Sequence, residues 1–253
     1  MKSELTFKPT RIVTLTNLEY YEEYGGTGIK ADGETHFKIE VLDGPEVPKN
    51  VVGIDYELYG NLDGSITVTG RGAGSVIRSG SGRGNATRSG DGDGDAVRFG
   101  MGKGNTRRDG SGFGNAVRSG SGYGNAERES SGDGDAERTE SGDGYAVRAG
   151  SGNGHAIRSG SGFGNAVRSG VGNGSAYRTG SGDGDATRTG DGHGHAYRED
   201  FGDGDAIRSG VGDGNAFRED TGSGNAVREG SGVGAAIRSG DGEGDAIDKG
   251  ENS

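Results

Sequence analysis

Along residues 71–250 the chain alternates between positions restricted to one or two residue types and positions that vary, and the period of the alternation is two. Cut into tens from Arg71, the segment reads RGAGSVIRSG, SGRGNATRSG, DGDGDAVRFG and so on to DGEGDAIDKG, eighteen units in all. Positions two and four are Gly in every unit. Position six is Ala in sixteen, with Val76 and Thr106 as exceptions, and position eight is Arg in seventeen, with Asp248 in the last. Position ten is Gly in fourteen, replaced elsewhere by Ser130, Glu140, Asp200 and Asp220, while the odd positions vary. A period of two is the mark of a strand, whose successive side chains leave on opposite faces. Glycine at this density excludes a helix, at a cost of about 1 kcal/mol per residue.

Ten residues cannot bury a face of their own, but stacked units can share backbone hydrogen bonds with the coil above and below. The predicted fold is therefore all-β: a β-solenoid of about 18–20 ten-residue coils with a small N-terminal β segment. At ~4.8 Å per strand, eighteen coils predict a rod on the order of 85 Å long. The entry to the array sets the inward face. In the same register, residues 51–60 (VVGIDYELYG) and 61–70 (NLDGSITVTG) place Val52, Ile54, Tyr56, Leu58, Leu62, Ile66 and Val68 at even positions. These read as apolar starter coils, so the Gly and Ala columns carry forward into a narrow core. The organisation that follows is an N-terminal β-rich capping or attachment segment over 1–50, starter coils over 51–70, the solenoid over 71–250 and a tail over 251–253.

Two columns complicate this picture. The Arg column (Arg78, Arg88, Arg98, Arg118, Arg158, Arg208 and their equivalents) shares the inward parity, yet a stack of guanidinium groups in a dry core is expensive. Either Arg sits at a corner, where its fork reaches turn carbonyls and neighbouring carboxylates, or the alternation inverts there; an exposed basic stripe that reads phosphates is the competing reading. Position seven is apolar or aromatic in thirteen units, among them Val97, Val117, Ile157, Tyr177, Tyr197, Ile207 and Phe217. If even positions face in, these form an exposed stripe, and such stripes mark interfaces. Simple β-propensity, or burial of the column, accounts for the same residues.

Composition supports a thin fold rather than an ordinary domain, with 59 Gly in 253 residues and only 27% hydrophobic residues. A collagen-like chain needs Gly at every third position, not every second. Cys is absent, which removes disulfides and thiolate metal sites. The first residues, MKSELTFKPTRIVTLTN, lack the apolar stretch of a signal peptide, and no run approaches a membrane span. The net charge of −11 divides into −6 over residues 1–70 and −5 over the remainder, a near balance that argues against a nucleic-acid partner and weakens an acidic DNA mimic.

Chemistry is sparse. Acidic pairs at Asp93 and Asp95, Asp133 and Asp135, Asp183 and Asp185, and Asp203 and Asp205 are the calcium candidates. Calcium-binding nonapeptide solenoids place a ligand Asp where this unit has Ala, so calcium is not expected to be needed for folding, and no other cofactor is expected. His193 and His195 share a strand face, but no third metal ligand recurs beside them. Without a following helix the glycine spacing is not a nucleotide motif, and no nucleophile–base arrangement is evident. The expectation is a protein that is not an enzyme.

The recurring GDGDAxR and GNAxR units resemble those of Gly-rich decapeptide-repeat proteins of bacteriophages and prophages, over residues 71–248. That resemblance implies a phage origin, in the host cytoplasm or the virion, and carries no catalytic residues. The functional expectation is a structural or binding rod, fibre- or adhesin-like, with a protein partner or self-association. The alternative is an intracellular phage protein that inhibits a host factor as an acidic decoy of nucleic acid.

Overall fold

Strands form where the unit is free of glycine, at positions six to eight, and glycines break the chain on either side. The computed structural model describes residues 74–219 and 221–250 throughout. Before them it describes the strands Thr6–Pro9, Gly26–Ala31, His36–Val41, Tyr56–Tyr59 and Asp63–Val68. No helix occurs among the described residues. Two sheets hold all the strands among the described residues, one of eleven (sheet I) and one of twelve (sheet II), and strands from successive units fall alternately into one and the other.

Within each sheet the repeat strands are parallel and in perfect register at a spacing of twenty residues: Ala96 pairs with Ala116, Val97 with Val117 and Arg98 with Arg118. Sheet II does the same, with Ala126, Glu127 and Arg128 against Ala146, Val147 and Arg148. The molecule is thus a β-solenoid, and each full turn takes two decapeptides, one per sheet. Eighteen units make nine turns and a repeat region about 43 Å long, half the length expected when every unit is a turn. The reason is geometric: a three-residue strand and one glycine turn reverse the chain once, and closing a coil requires two reversals.

The strands before the array extend the same two sheets. Thr6–Pro9 pairs antiparallel with Tyr56–Tyr59, which leads in parallel to Val76–Ser79. Gly26–Ala31 pairs antiparallel with His36–Val41, which is followed in parallel by Asp63–Val68. Of the starter-coil side chains, Ile66 is fully buried; Val52, Ile54, Leu62 and the side chains of Tyr56, Leu58 and Val68 lie outside the described residues, as do most of residues 1–50 and the tail at 252–253.

The even positions face inward. The Ala column is completely buried from Ala86 to Ala226, with Val76 and Thr106 buried in the same line. So little side-chain volume lets the two sheets close until backbone packs on backbone. A Cβ added at Gly144 would lie 2.0 Å from the carbonyl oxygen of Gly124 in the coil below. Position ten is less strict. Its glycines have φ near +100°, and Ser130, Glu140 and Asp200 take its place at φ of 77°, 71° and 76°. That is the left-handed region, open at modest cost to polar residues.

Candidate functional site

The Arg column is inside. Arg78 to Arg228, sixteen side chains, are each at most 2% exposed, so the alternation does not invert and no basic stripe is exposed, while the expected reach of the fork to turn carbonyls holds. What makes the interior tolerable is the glycine backbone. Arg118 donates from Nε to Gly104 O at 3.2 Å, from Nη1 to Gly100 O at 3.2 Å and to Ser119 O, and from Nη2 to Gly102 O at 2.7 Å. Those glycines are positions ten, two and four of the turn in the coil below. Such a guanidinium fastens its own coil to the turn beneath it through carbonyls that have no side chain in the way, although the Nε of Arg108, Arg148, Arg168, Arg178, Arg188 and Arg208 meets no acceptor. Burial, followed by the charges of Arg118 and Arg78, lowers the pKa of Arg98 to about 9, which leaves it cationic at neutral pH. In the last unit Asp248 replaces the donor and accepts from Arg228 Nη1 at 3.2 Å.

Columns three and five have a duty that a free reading of the odd positions overlooks. Where they hold Asp, Asn or His, or Ser at position five, the side chain accepts a hydrogen bond from the backbone N–H twenty residues later, in the next coil of the same sheet. All eight calcium candidates do so. Asp93 accepts from Phe113, Asp95 from Asn115, Asp133 from Asn153 and Asp135 from His155. Asp183 accepts from Asp203, Asp185 from Asp205, Asp203 from Ser223 and Asp205 from Asn225, all within 2.7–2.9 Å. One oxygen of each, Oδ1, is committed to stacking, and no group of three or more His, Asp or Glu side chains converges as a metal site among the described residues.

Asn, Asp, Ser or His occupies position five in sixteen of the eighteen units, leaving Tyr145 and Ala235 as the two without a short-armed acceptor. Tyr145 is half exposed, with Asn165 in the coil above it. Tyr145→Asn is expected to raise stability by about 1 kcal/mol by giving the Asn165 N–H an acceptor. The midpoint of a urea melt followed by circular dichroism measures it, and an unchanged or lower midpoint would contradict the acceptor role.

Histidines serve in the same columns through Nδ1. His155 accepts from Ser175 N at 3.0 Å, and His195 from Asn215 N at 2.9 Å. A protonated ring has no lone pair for this. Burial, then the charge of Arg208, lowers the pKa of His195 below its ordinary 6.5. The unfolded chain consequently binds a proton before the folded one does. The stability contributed by neutral His195 is complete above the unfolded value and is lost as pH falls through the depressed folded value. Thermal midpoints at pH 7 and pH 5 should therefore fall less in His195→Asn, whose oxygen does not titrate, than in the wild type. Equal falls would remove His195 from this role.

Position seven points outward and is half exposed, and its stripe divides between two faces. Val97, Val117, Ile157, Tyr177, Tyr197 and Phe217 lie on sheet I, whereas Ile207 lies on sheet II. On sheet I the rings of Tyr177 and Tyr197 stack at 5.0 Å and 4°, and those of Tyr197 and Phe217 at 4.7 Å and 5°. Near-zero interplanar angles mean that the three rings lie parallel, one coil apart. The rings stack along the rod and show their edges to solvent. On sheet II the same column carries Arg107 and Glu127, and Arg107 bonds Glu129 of the next coil at 2.6 Å. Other apolar side chains stand exposed along the turns, among them Met101, Phe113, Phe163, Phe201 and Val233.

The inward Arg column also changes the meaning of the charge balance. Outside it, the cations of residues 74–250 are Arg83, Lys103, Arg107 and Lys249, while carboxylates occupy every outer column. A near-neutral array thus shows an acidic surface. In comparisons with family models, curated proteins and solved structures, the chain matches none.

Proposed function

We propose that this chain is a non-enzymatic structural and binding rod, of the fibre or adhesin kind. The observation that carries this reading is the division of labour between columns. Gly, Ala and Arg inside are nearly invariant and packed against or bonded to the backbone, while residue choice is free mainly at outward positions one, seven and nine. Such a design keeps the shaft constant and lets the surface change, as a recognition scaffold requires.

Trypsin tests the shaft directly, because sixteen of its cleavage sites are buried arginines. Native protein should be cleaved only near Arg83, Lys103, Arg107 and the C-terminal coil, leaving a resistant fragment spanning about residues 108–238. Rapid digestion to decapeptides under native conditions would refute the rod. The acidic surface favours a second reading, an intracellular decoy that occupies the nucleic-acid site of a host protein. Binding to a basic, DNA-binding host protein, competed by duplex DNA and weakened by salt, would favour it over the first.

A further inference from the structure

We propose that two copies of this chain associate through the outer face of sheet I, with their rod axes antiparallel and the two-fold axis passing at Ile157. This goes beyond the rod reading and uses only its fold. The central column of that face, in coil order, is Ile77, Val97, Val117, Glu137, Ile157, Tyr177, Tyr197, Phe217 and Ile237. It is graded, with slender aliphatic side chains in one half and stacked rings in the other. Turned end for end, the column complements itself: Val97 meets Phe217, Val117 meets Tyr197, Ile77 meets Ile237 and Ile157 meets its own copy. Apart from the two isoleucine pairs, each slender side chain is set against a ring, so the gap between the two faces is more even. With axes parallel, ring would meet ring at one end and valine would meet valine at the other, leaving a wedge.

Charge selects the same arrangement. Glu137 is the one carboxylate in the central column, and parallel rods would press it against its own copy. Antiparallel rods set it opposite Tyr177, whose hydroxyl can donate to it. The flanking columns obey the same rule, with Asp95 opposite Asn215, Asp135 opposite Ser175 and Glu199 opposite Ser119, so no two carboxylates meet. Burial and the nearby Asp135 and Asp95 raise the pKa of Glu137, so it is already a poorly solvated acid that gains from a donor.

Area permits the association. Three outward columns over nine coils cover about 43 Å by about 14 Å, or about 600 Å² per copy, and about 1,200 Å² in all is the lower end of stable interfaces. Sheet II is a poorer candidate, since its central column is interrupted by Arg107 and Glu127 and by Thr87 and Thr187.

Light scattering coupled to size-exclusion chromatography of the full chain should report twice the monomer mass at tens of micromolar. Ile157→Asp, which sets two carboxylates together at the two-fold axis, should return it to a monomer with its circular dichroism unchanged. Ile207→Asp, the same change on the opposite face, should leave the dimer intact and controls for folding. The protein has no cysteine, so single thiols report orientation. A short bis-maleimide should link Ser159→Cys to its copy and fail to link Val97→Cys, the reverse of what parallel rods would give. A monomeric wild type, a dimer broken by Ile207→Asp but not by Ile157→Asp, or linkage at residue 97 would overturn the proposal. A monomer that still resists trypsin would overturn the dimer and leave the rod standing.

Discussion

Arg158→Met lowers the stability of the rod by about 3–6 kcal/mol, several times the effect of truncating an outward neighbour such as Ile157. The argument rests on what the change leaves behind. Arg158 donates from Nη2 to Gly142 O at 2.9 Å, from Nε to Gly144 O at 3.0 Å and from Nη1 to Ser159 O. Each buried carbonyl that loses its donor costs about 1–3 kcal/mol. Where a buried charge is paired with another side chain, both can be exchanged together for apolar groups at little cost. Here the partners are backbone and cannot be exchanged, so relief of the buried charge offsets only part of the loss. Arg158→Lys should recover about half, because one ammonium cannot span three carbonyls held in a fork. Urea midpoints for the three proteins check the order, and a Met variant as stable as the wild type would sink the account.

Gly144→Ala should destabilise the rod by more than about 4 kcal/mol. Its φ is +150° and the new Cβ would stand 2.0 Å from Gly124 O, with backbone on both sides of the clash. Relief requires the coils to part by more than 1 Å. That breaks the hydrogen bond from Gly124 N to Asp143 O, 3.0 Å long. Gly160→Asn is the contrasting case. A Cβ there would lie 2.2 Å from Glu140 O, but its column already holds Ser130, Glu140 and Asp200 at φ of 71–77°, so the backbone can shift into that region and the cost should be the smaller of the two. Equal melting of the two variants would show that the tight stacking of position four is not what limits the fold.

Much of this was open to a reading of the sequence. The period of two yields strands, the apolar residues before the array point the even columns inward, and Gly with Ala implies a thin core. The two-unit turn was also written there, though faintly. Tyr177, Tyr197 and Phe217 recur at twenty residues, with Thr187 and Ile207 between them, a spacing that only a coil of two units explains. The acceptor duty of position five was legible in its near-exclusive use of Asn, Asp, Ser and His. What side-chain patterns could not reveal is the acceptor set for Arg, because it consists of carbonyls, which every residue carries. Backbone geometry, not composition, makes the arginine interior possible, and it also moves the positive charge out of sight.

The half-turn unit has a consequence for how such a chain can lengthen. Inserting or deleting one decapeptide leaves every hydrogen bond with an equivalent partner, yet it carries all downstream outer columns from one face of the rod to the other. A shaft that gains one unit would break its aromatic ladder into pieces on opposite sides, whereas a gain of two would only extend the rod. Duplication of the repeat is therefore neutral to the fold at any count, but it conserves the surface only when units come in pairs.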